Sequence, residues 1–116
     1  MIPWSPLARG RLARPWGQST PRQDTDAFGK MLFDQSEDND REVAAALAQV
    51  AAARGAPLAQ VALAWVLAQP GVTAPIVGVS RPEQLADAVA SLSIRLSAEE
   101  VAALEAPYRP HPVVGL

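Results

Sequence analysis

Residues 75–85 read Pro75-Ile76-Val77-Gly78-Val79-Ser80-Arg81-Pro82-Glu83-Gln84-Leu85. Val72 to Val77 form a short β-rich run that closes on Gly78. Helical patterns flank it, which predicts a strand of a parallel sheet with both faces covered. Ser80-Arg81-Pro82-Glu83 then has the form of a capping box with proline just inside the helix start. Leu85, Val89 and Leu92 give the following helix its apolar face. Parallel α/β folds gather ligands at the carboxyl ends of their strands. A helix N-terminus there offers free N–H groups and the positive end of the helix dipole, which suits a phosphate. Gly78 lets the backbone come close to a ligand, and Ser80 and Arg81 add a hydroxyl and a fixed cation. The same residues also read as an ordinary helix cap with a solvent-facing arginine, and spacing leaves both open.

Upstream, Pro57 can start a helix, and Leu58 to Leu67 is apolar on nearly every side, broken only by Gln60. Such a helix is buried rather than surface-lying. Trp65 lies on its Leu58, Val61, Ala62 stripe, and Pro70-Gly71 stops it with a turn. Asn39 stands three residues before Glu42, a capping-box variant, and Val43, Leu47 and Val50 recur at helical spacing. With Arg54 and Gly55 as stop signals, a helix is expected over 40–54. Residues 8–38 show neither helical nor strand periodicity and read as a long loop with short turns around Phe28 to Phe33. Ile2 to Trp4 reads as a short buried strand ended by Ser5-Pro6-Leu7. Downstream, Ser97-Ala98-Glu99-Glu100 is a third capping box, followed by Val101 and Leu104. Tyr108 is expected to pack on or cap that terminal helix, and the tail from Pro107 onward reads as irregular.

The order strand, loop, helix pair, strand, helix, terminal helix argues for an α/β class. Two parallel strands cannot close a barrel or bury both faces of a sheet, so the 116 residues read as a piece of something larger. The sequence opens inside an apolar strand, and the preferred reading is a truncated chain or a mis-assigned start. Exposed strand edges and apolar patches are expected to drive self-association or pairing with a missing N-terminal half.

Composition narrows the function. Hydrophobic residues make up 49% and charged residues 19%, enough apolar material for a core. The net charge of −2 gives no basic surplus for nucleic acid or an anionic membrane. With no cysteine, disulfides and thiolate chemistry are excluded, and the single histidine excludes a His-rich metal cluster. No apolar run approaches the length of a membrane span and no leader pattern opens the chain, so a cytoplasmic protein is expected. Nine of the ten basic residues are arginine, which with the many alanines is assigned to a GC-rich genome.

General acid–base catalysis needs a positioned His, Tyr, Lys or carboxylate. The chain offers one His, one Tyr and one Lys. His111 lies between two prolines and reads as a surface residue. Lys30 lies in the loop with no carboxylate at a distinctive spacing. Trp4-Ser5-Pro6-Leu7, at the end of the first strand, could stack on a flat ring and bond a phosphate or amide, or could be a core tryptophan before a turn. Arg22 could clamp an anion or be a solvated loop residue.

In combination these segments resemble the C-terminal part of the aldo-keto reductases. Ile2-Pro3-Trp4-Ser5-Pro6-Leu7-Ala8-Arg9-Gly10-Arg11-Leu12 is similar to the family's seventh-strand segment. Gln60 to Leu67 is similar to the helix before the last barrel strand. Gly71 to Gly78, followed by Ser80, Pro82, Glu83, Gln84 and Leu85, is similar to that strand and its nucleotide loop. Leu96 to Glu100 and Leu104 continue the match. The resemblance implies a (β/α)8 barrel of which this chain is a C-terminal fragment, about the last two βα units plus a terminal helix. Residues 1–116 are then one partial domain, with a long loop at 8–38. The helix pair, last strand, nucleotide loop and terminal helices fall within 39–106.

The resemblance also implies NADPH as cofactor and reduction of aldehydes or ketones by hydride transfer. Trp4 matches the aromatic that stacks on nicotinamide, and Ser5, Pro6 and Leu7 match the turn along the ribose and diphosphate. Arg22 matches a loop arginine over the cofactor. Gly78, Ser80 and Gln84 match the adenosine-phosphate site, with Arg81 on the 2′-phosphate. Asp87 matches an acidic position facing adenine. Ala88 stands where the family often has asparagine. The family's catalytic Asp, Tyr, Lys and His lie on earlier strands, so no catalytic residue is carried over. A small carbonyl substrate is expected only in the complete barrel, and the chain alone is expected to be inactive. The alternative is a non-catalytic nucleotide-binding or interaction module that pairs with another barrel fragment.

Overall fold

The computed structural model describes residues 1–113. Its six α-helices are α1 (Pro21–Asp24), α2 (Ala27–Phe33), α3 (Glu37–Arg54), α4 (Leu58–Ala68), α5 (Pro82–Ala90) and α6 (Ala98–Glu105). Short 3-10 turns occupy Ala8–Gly10, Asp34–Ser36 and Ser91–Ser93.

The core forms where α3 and α6 cover α4. Leu47, Val50 and Ala51 of α3 meet Val61 and Ala62 of α4 and Leu104 of α6. Leu7, Leu12, Leu58, Trp65 and Leu96 close its rim. As its composition predicts, α4 is the most deeply covered helix, with Val61 to Ala64 all buried. Gly55 ends α3 in the left-handed conformation, at φ +71°, which only glycine adopts without cost. Gly71 does the same at φ +84° in the turn after α4. Arg54 crosses from the end of α3 to α6. It donates to both Glu100 oxygens at 2.6 and 2.7 Å and to the Arg95 carbonyl at 2.7 Å. The expected box at Ser97 and Glu100 is formed, each side chain accepting from the other's backbone N–H at 3.1 Å.

The two expected strands are reduced to one parallel bridge, Trp4 with Ile76, and the described residues contain no longer strand. Thr73 N–H donates to Met1 O and Ile76 N–H to Pro3 O, both at 2.8 Å. Pro3 and Pro75 remove two ladder donors. Neither segment has a further neighbour to pair with, so the ladder stops at one rung.

Residues 8–38 are not a loop. The segment folds into α1, α2, two 3-10 turns and the start of α3. Thr20 caps α1 and Asp26 caps α2 through side chains accepting from Gln23 N–H and Gly29 N–H. Helices of four and seven residues are too short for a 3.6-residue period to show. Arginines pin the segment down: Arg9 pairs with Asp26 and lies over Phe28, while Arg11 lies over Trp16 and Phe33 and reaches Asp40.

Two helix starts also move. Helix α3 begins at Glu37, not 40, because the Asp34–Ser36 turn runs straight into it and Ser36 Oγ donates to Asp40 Oδ2 at 2.9 Å. Asn39 caps nothing. Its amide donates to Pro107 O at 2.6 Å and accepts from Arg109 N–H at 2.9 Å, fastening the tail. Helix α5 is capped at Arg81, not Ser80. Pro82 at its first position holds the preceding residue extended, at φ −139° and ψ 146°. The anticipated face of α5 is not buried: Leu85, Val89 and Leu92 are 54–57% exposed. The helix instead turns its Gln84, Ala88, Ser91 side inward. Tyr108 caps the terminal helix through its backbone, its N–H donating to Glu105 O at 3.0 Å, while its side chain is 59% exposed.

Two outcomes follow from this packing. Leu47→Ala should cost about 2–5 kcal/mol in urea unfolding, whereas Leu85→Ala should stay within about 0.5 kcal/mol. Arg54 and the Ser97 N–H hold the Glu100 carboxyl down at about 2, below the usual 4.5. A lowered folded-state value gives stability that is present above pH 4.5 and lost as pH falls toward 2. Thermal melts from pH 7 to 2.5 should therefore show Glu100→Gln less stable than the native chain at neutral pH. The gap should narrow below pH 4.5.

Candidate functional site

The Trp4–Ile76 bridge is parallel, so both segments run out at the same end. Ser5-Pro6-Leu7 follows the first and Gly78 to Arg81 the second. Two candidate groups far apart in sequence are thereby brought side by side at the carboxyl end of the pair, where α/β folds bind ligands.

Trp4 is 59% exposed, its ring open to solvent. The core-tryptophan reading of this position is thereby corrected. Ser5 adopts φ +53°, and Ala8 and Arg9 follow at +47° and +54°. Three non-glycine residues in the left-handed region within five positions mark a costly turn. Ser5 O accepts from Ala8 N–H at 3.0 Å, and Leu7 O from Gly10 N–H at 2.9 Å. Pro6 is half-buried, and the Leu7 side chain packs against the helical core.

On the second segment, a Cβ placed on Gly78 would meet nothing within 4 Å, and its φ does not demand glycine. Neither strain nor packing inside the chain therefore explains the glycine. Gln84 Oε1 collects three donors: Ser80 N–H at 2.8 Å, Ser80 Oγ at 3.2 Å and Arg81 N–H at 3.3 Å. This clasp fixes the backbone of the loop. It occupies Ser80 Oγ and the Gln84 oxygen, leaving the Gln84 amide nitrogen outside the clasp. The Arg81 side chain is exposed and takes part in no ion pair among the described residues. Asp87 lies one turn beyond Gln84, and its Oδ1 accepts from Gln60 Nε2 of α4 at 3.1 Å.

Arg22, on α1, is exposed and forms no hydrogen bond or ion pair with these residues. It lies in the group around Asp26. That carboxyl is held below its usual value first by the Arg9 hydrogen bond, then by Gly29 N–H, with the Arg22 charge a weaker cause. The Arg9–Asp26 pair ties α1 and α2 to the turn that follows Ser5-Pro6-Leu7. No periodicity signals either Arg9–Asp26 or Gln60–Asp87, since both are contacts between segments far apart in sequence.

An exposed indole, an unpaired arginine, a glycine with free space and a clasped loop at a helix start fit a flat ring and a phosphate, as in a nicotinamide nucleotide. Among the described residues, the single lysine, histidine and tyrosine form no hydrogen bond with this group. Lys30 Nζ donates to the Asp24 carbonyl, His111 Nδ1 lies against Pro112 O, and Tyr108 stands in solvent. Two open clefts, one between α3 and α6 and one beside Asp34 to Asn39 and Arg109, are lined by none of the candidate residues. No single helix among the described residues is long and apolar enough to cross a membrane.

The profile of the Aldo/keto reductase family matches residues 1–109. Versiconal hemiacetal acetate reductase of Aspergillus parasiticus is 42% identical over 115 residues, 97% of this chain and 33% of that protein. An aldo-keto reductase of Fusarium vanettenii is 35% identical over 99% of this chain and 31% of its own length. Aldo-keto reductase AFTS1 of Alternaria alternata is 37% identical over 99% and 31%. The chain thus spans about a third of the length of these curated relatives. Matched along nearly all its residues, from the Trp4 segment through the clasped loop to α6, this chain belongs to the aldo/keto reductase family.

Proposed function

We propose that residues 1–116 carry the cofactor-binding half-site of an NADPH-dependent aldo-keto reductase, the C-terminal part of a (β/α)8 barrel. The complete barrel would reduce aldehydes or ketones by hydride transfer. The observation that carries this reading is the parallel Trp4–Ile76 pairing, which sets the exposed indole and the Gly78–Arg81 loop at one end. Trp4 would stack on the nicotinamide ring, and the Ser5–Leu7 turn would follow the ribose and diphosphate. Gly78 would admit the phosphate backbone. Arg81 would meet the 2′-phosphate as a charge-assisted pair, which gives NADPH preference over NADH. The bound nucleotide would supply the hydride. This chain's share is to orient the ring and hold the phosphates. It brings no proton donor to the ring, so residues 1–116 alone would not turn over.

The exposed apolar belt supports a second reading, a module completed by another barrel fragment or by its own copy. Ile2, Trp4, Ile76, Leu85, Val89 and Leu92 are each more than half exposed. Surfaces of this kind are covered by a partner more often than left in water.

Titration of the purified chain with NADPH, followed by tryptophan fluorescence, tests the first reading. Saturable quenching is expected. Arg81→Ala should weaken NADPH about tenfold or more while changing NADH little. Equal loss for both nucleotides would remove Arg81 from the 2′-phosphate, and no saturable binding would refute the half-site. No NADPH oxidation is expected with a reactive aldehyde, and measurable turnover would overturn the inactive reading.

A further inference from the structure

We infer that Asp26 is a positioning residue for the nicotinamide half of the site: through Arg9 it holds the strained Ser5–Arg9 turn in the form that a ribose and diphosphate would meet. The inference rests on the nucleotide reading above and deepens it.

Two residues depart from what their backbone favours, and both do so for the same contact. Arg9 adopts φ +54° and ψ +33°, a left-handed conformation. Glycine takes it freely, whereas a β-carbon costs free energy there. The turn's backbone hydrogen bonds, from Ala8 N–H to Ser5 O and from Gly10 N–H to Leu7 O, use no side chain and give no cause for arginine at position 9. What the side chain reaches does: Nε donates to Asp26 Oδ2, and the guanidinium carbon lies 5.6 Å from the centre of the Phe28 ring. Gly29 is the converse case. It is the third residue of α2, where alanine would favour the helix. A Cβ there would come 2.5 Å from Asp26 Oδ2 and 3.2 Å from Arg9 Nε. An arginine where the backbone suits glycine and a glycine where the helix suits alanine thus converge on one ion pair. Local rules broken together in this way mark a functional constraint more often than a packing accident.

Asp26 is fitted to act as an anchor. Its Oδ1 accepts from Gly29 N–H at 2.9 Å, capping α2, while Oδ2 takes Arg9, and its side chain is only 15% exposed. A carboxylate held at both oxygens fixes the guanidinium, and the guanidinium fixes the last left-handed residue of the turn. Strain sustained by surrounding structure is a means of preorganisation. Released from Asp26, Arg9 would relax toward right-handed or extended backbone, and the carbonyls of Ser5 and Leu7, which accept from its neighbours, would shift with it. Setting the turn before a ligand arrives removes part of the ordering cost of binding. The Ser80–Gln84 clasp shares none of these contacts, so the two halves of the site can be separated by experiment.

The test uses the full chain and two ligands. NADPH is followed by tryptophan fluorescence. Adenosine 2′,5′-bisphosphate, which lacks the nicotinamide and its ribose, is followed by calorimetry. Asp26→Asn keeps an oxygen for Gly29 N–H, so α2 stays capped, but withdraws the charge from Arg9. It should weaken NADPH about two- to tenfold and leave the bisphosphate unchanged. Arg9→Gly suits the left-handed backbone and should lose NADPH to the same extent while melting near the native temperature. A merely structural tie would not show that split, and this variant also serves should the asparagine variant fail to fold. Combining the two should weaken NADPH no further than either alone. Equal weakening of both ligands, or no weakening of NADPH, makes Arg9–Asp26 only a structural tie and the inference falls. A native chain that binds the bisphosphate as tightly as NADPH also overturns it, while leaving the 2′-phosphate contact standing. Absence of binding by either ligand overturns the half-site and this inference together.

Discussion

Helix α4 has no charged residue and one polar side chain within the helix, Gln60, so it cannot lie on a surface. Most of the arrangement follows from covering it. Helices α3 and α6 close one side through Leu47, Val50 and Leu104. Helix α5 and the buried Ser91 turn close another, with Ser91 2% exposed and its hydroxyl donating to Ala88 O. Leu7 and Leu12 arrive from the N-terminal segment. Packing Leu7 inward fixes where Trp4 to Pro6 can stand, so the site's first segment is positioned by the demands of α4.

The second constraint comes from arginine. A segment with no apolar period has little to bury, and residues 8–36 are held instead by guanidinium groups over rings and against carboxylates. Arg11 shows why arginine rather than lysine suits this role: its plane lies over Phe33 at 4.9 Å and Trp16 at 5.6 Å while an N–H reaches Asp40. The arginine content ascribed to base composition thus has a structural use, whatever its origin. Gly29 belongs to the same group, since a Cβ there would come within 2.5 Å of Asp26 Oδ2.

Legibility in the sequence followed the range of each interaction. Helices α4 and α6, the Gly55 and Gly71 stops and the Ser97 box depend on residues within a turn of one another, and all were readable. Arg81 as cap was missed by one position because proline's effect on its predecessor outranked the serine pattern. The strands were overread because alternation and β-branching describe what a neighbour would stabilise, and in this chain Trp4 and Ile76 have only each other. The candidate residues at 4–7 and 78–84 come from the family resemblance alone. Their juxtaposition became physical through the parallel bridge. Arg9–Asp26 and Gln60–Asp87 join side chains far apart in sequence, whose pairing no spacing announces.

Burial and binding are linked in the exposed belt. Trp4 and Ile76 pair through backbone while presenting apolar side chains outward, and Leu85, Val89 and Leu92 extend that exposure along α5 and the turn after it. A chain stabilised for solitary life would place polar residues there, because exposed aliphatic rows gain nothing and invite association. The same α5 turns a polar edge, Gln84 and Asp87, toward the loop and α4. One helix therefore carries two unlike faces, one apolar and exposed and one polar and hydrogen-bonded. In a reductase three times as long, both demands would be met at once: the apolar face by neighbouring barrel elements, the polar edge by the nucleotide. The polar edge is already set by contacts inside this third, the Gln84 clasp and the Gln60 tie. On the reading proposed here, nucleotide recognition would be the part of the function that this stretch of sequence can organise from its own residues.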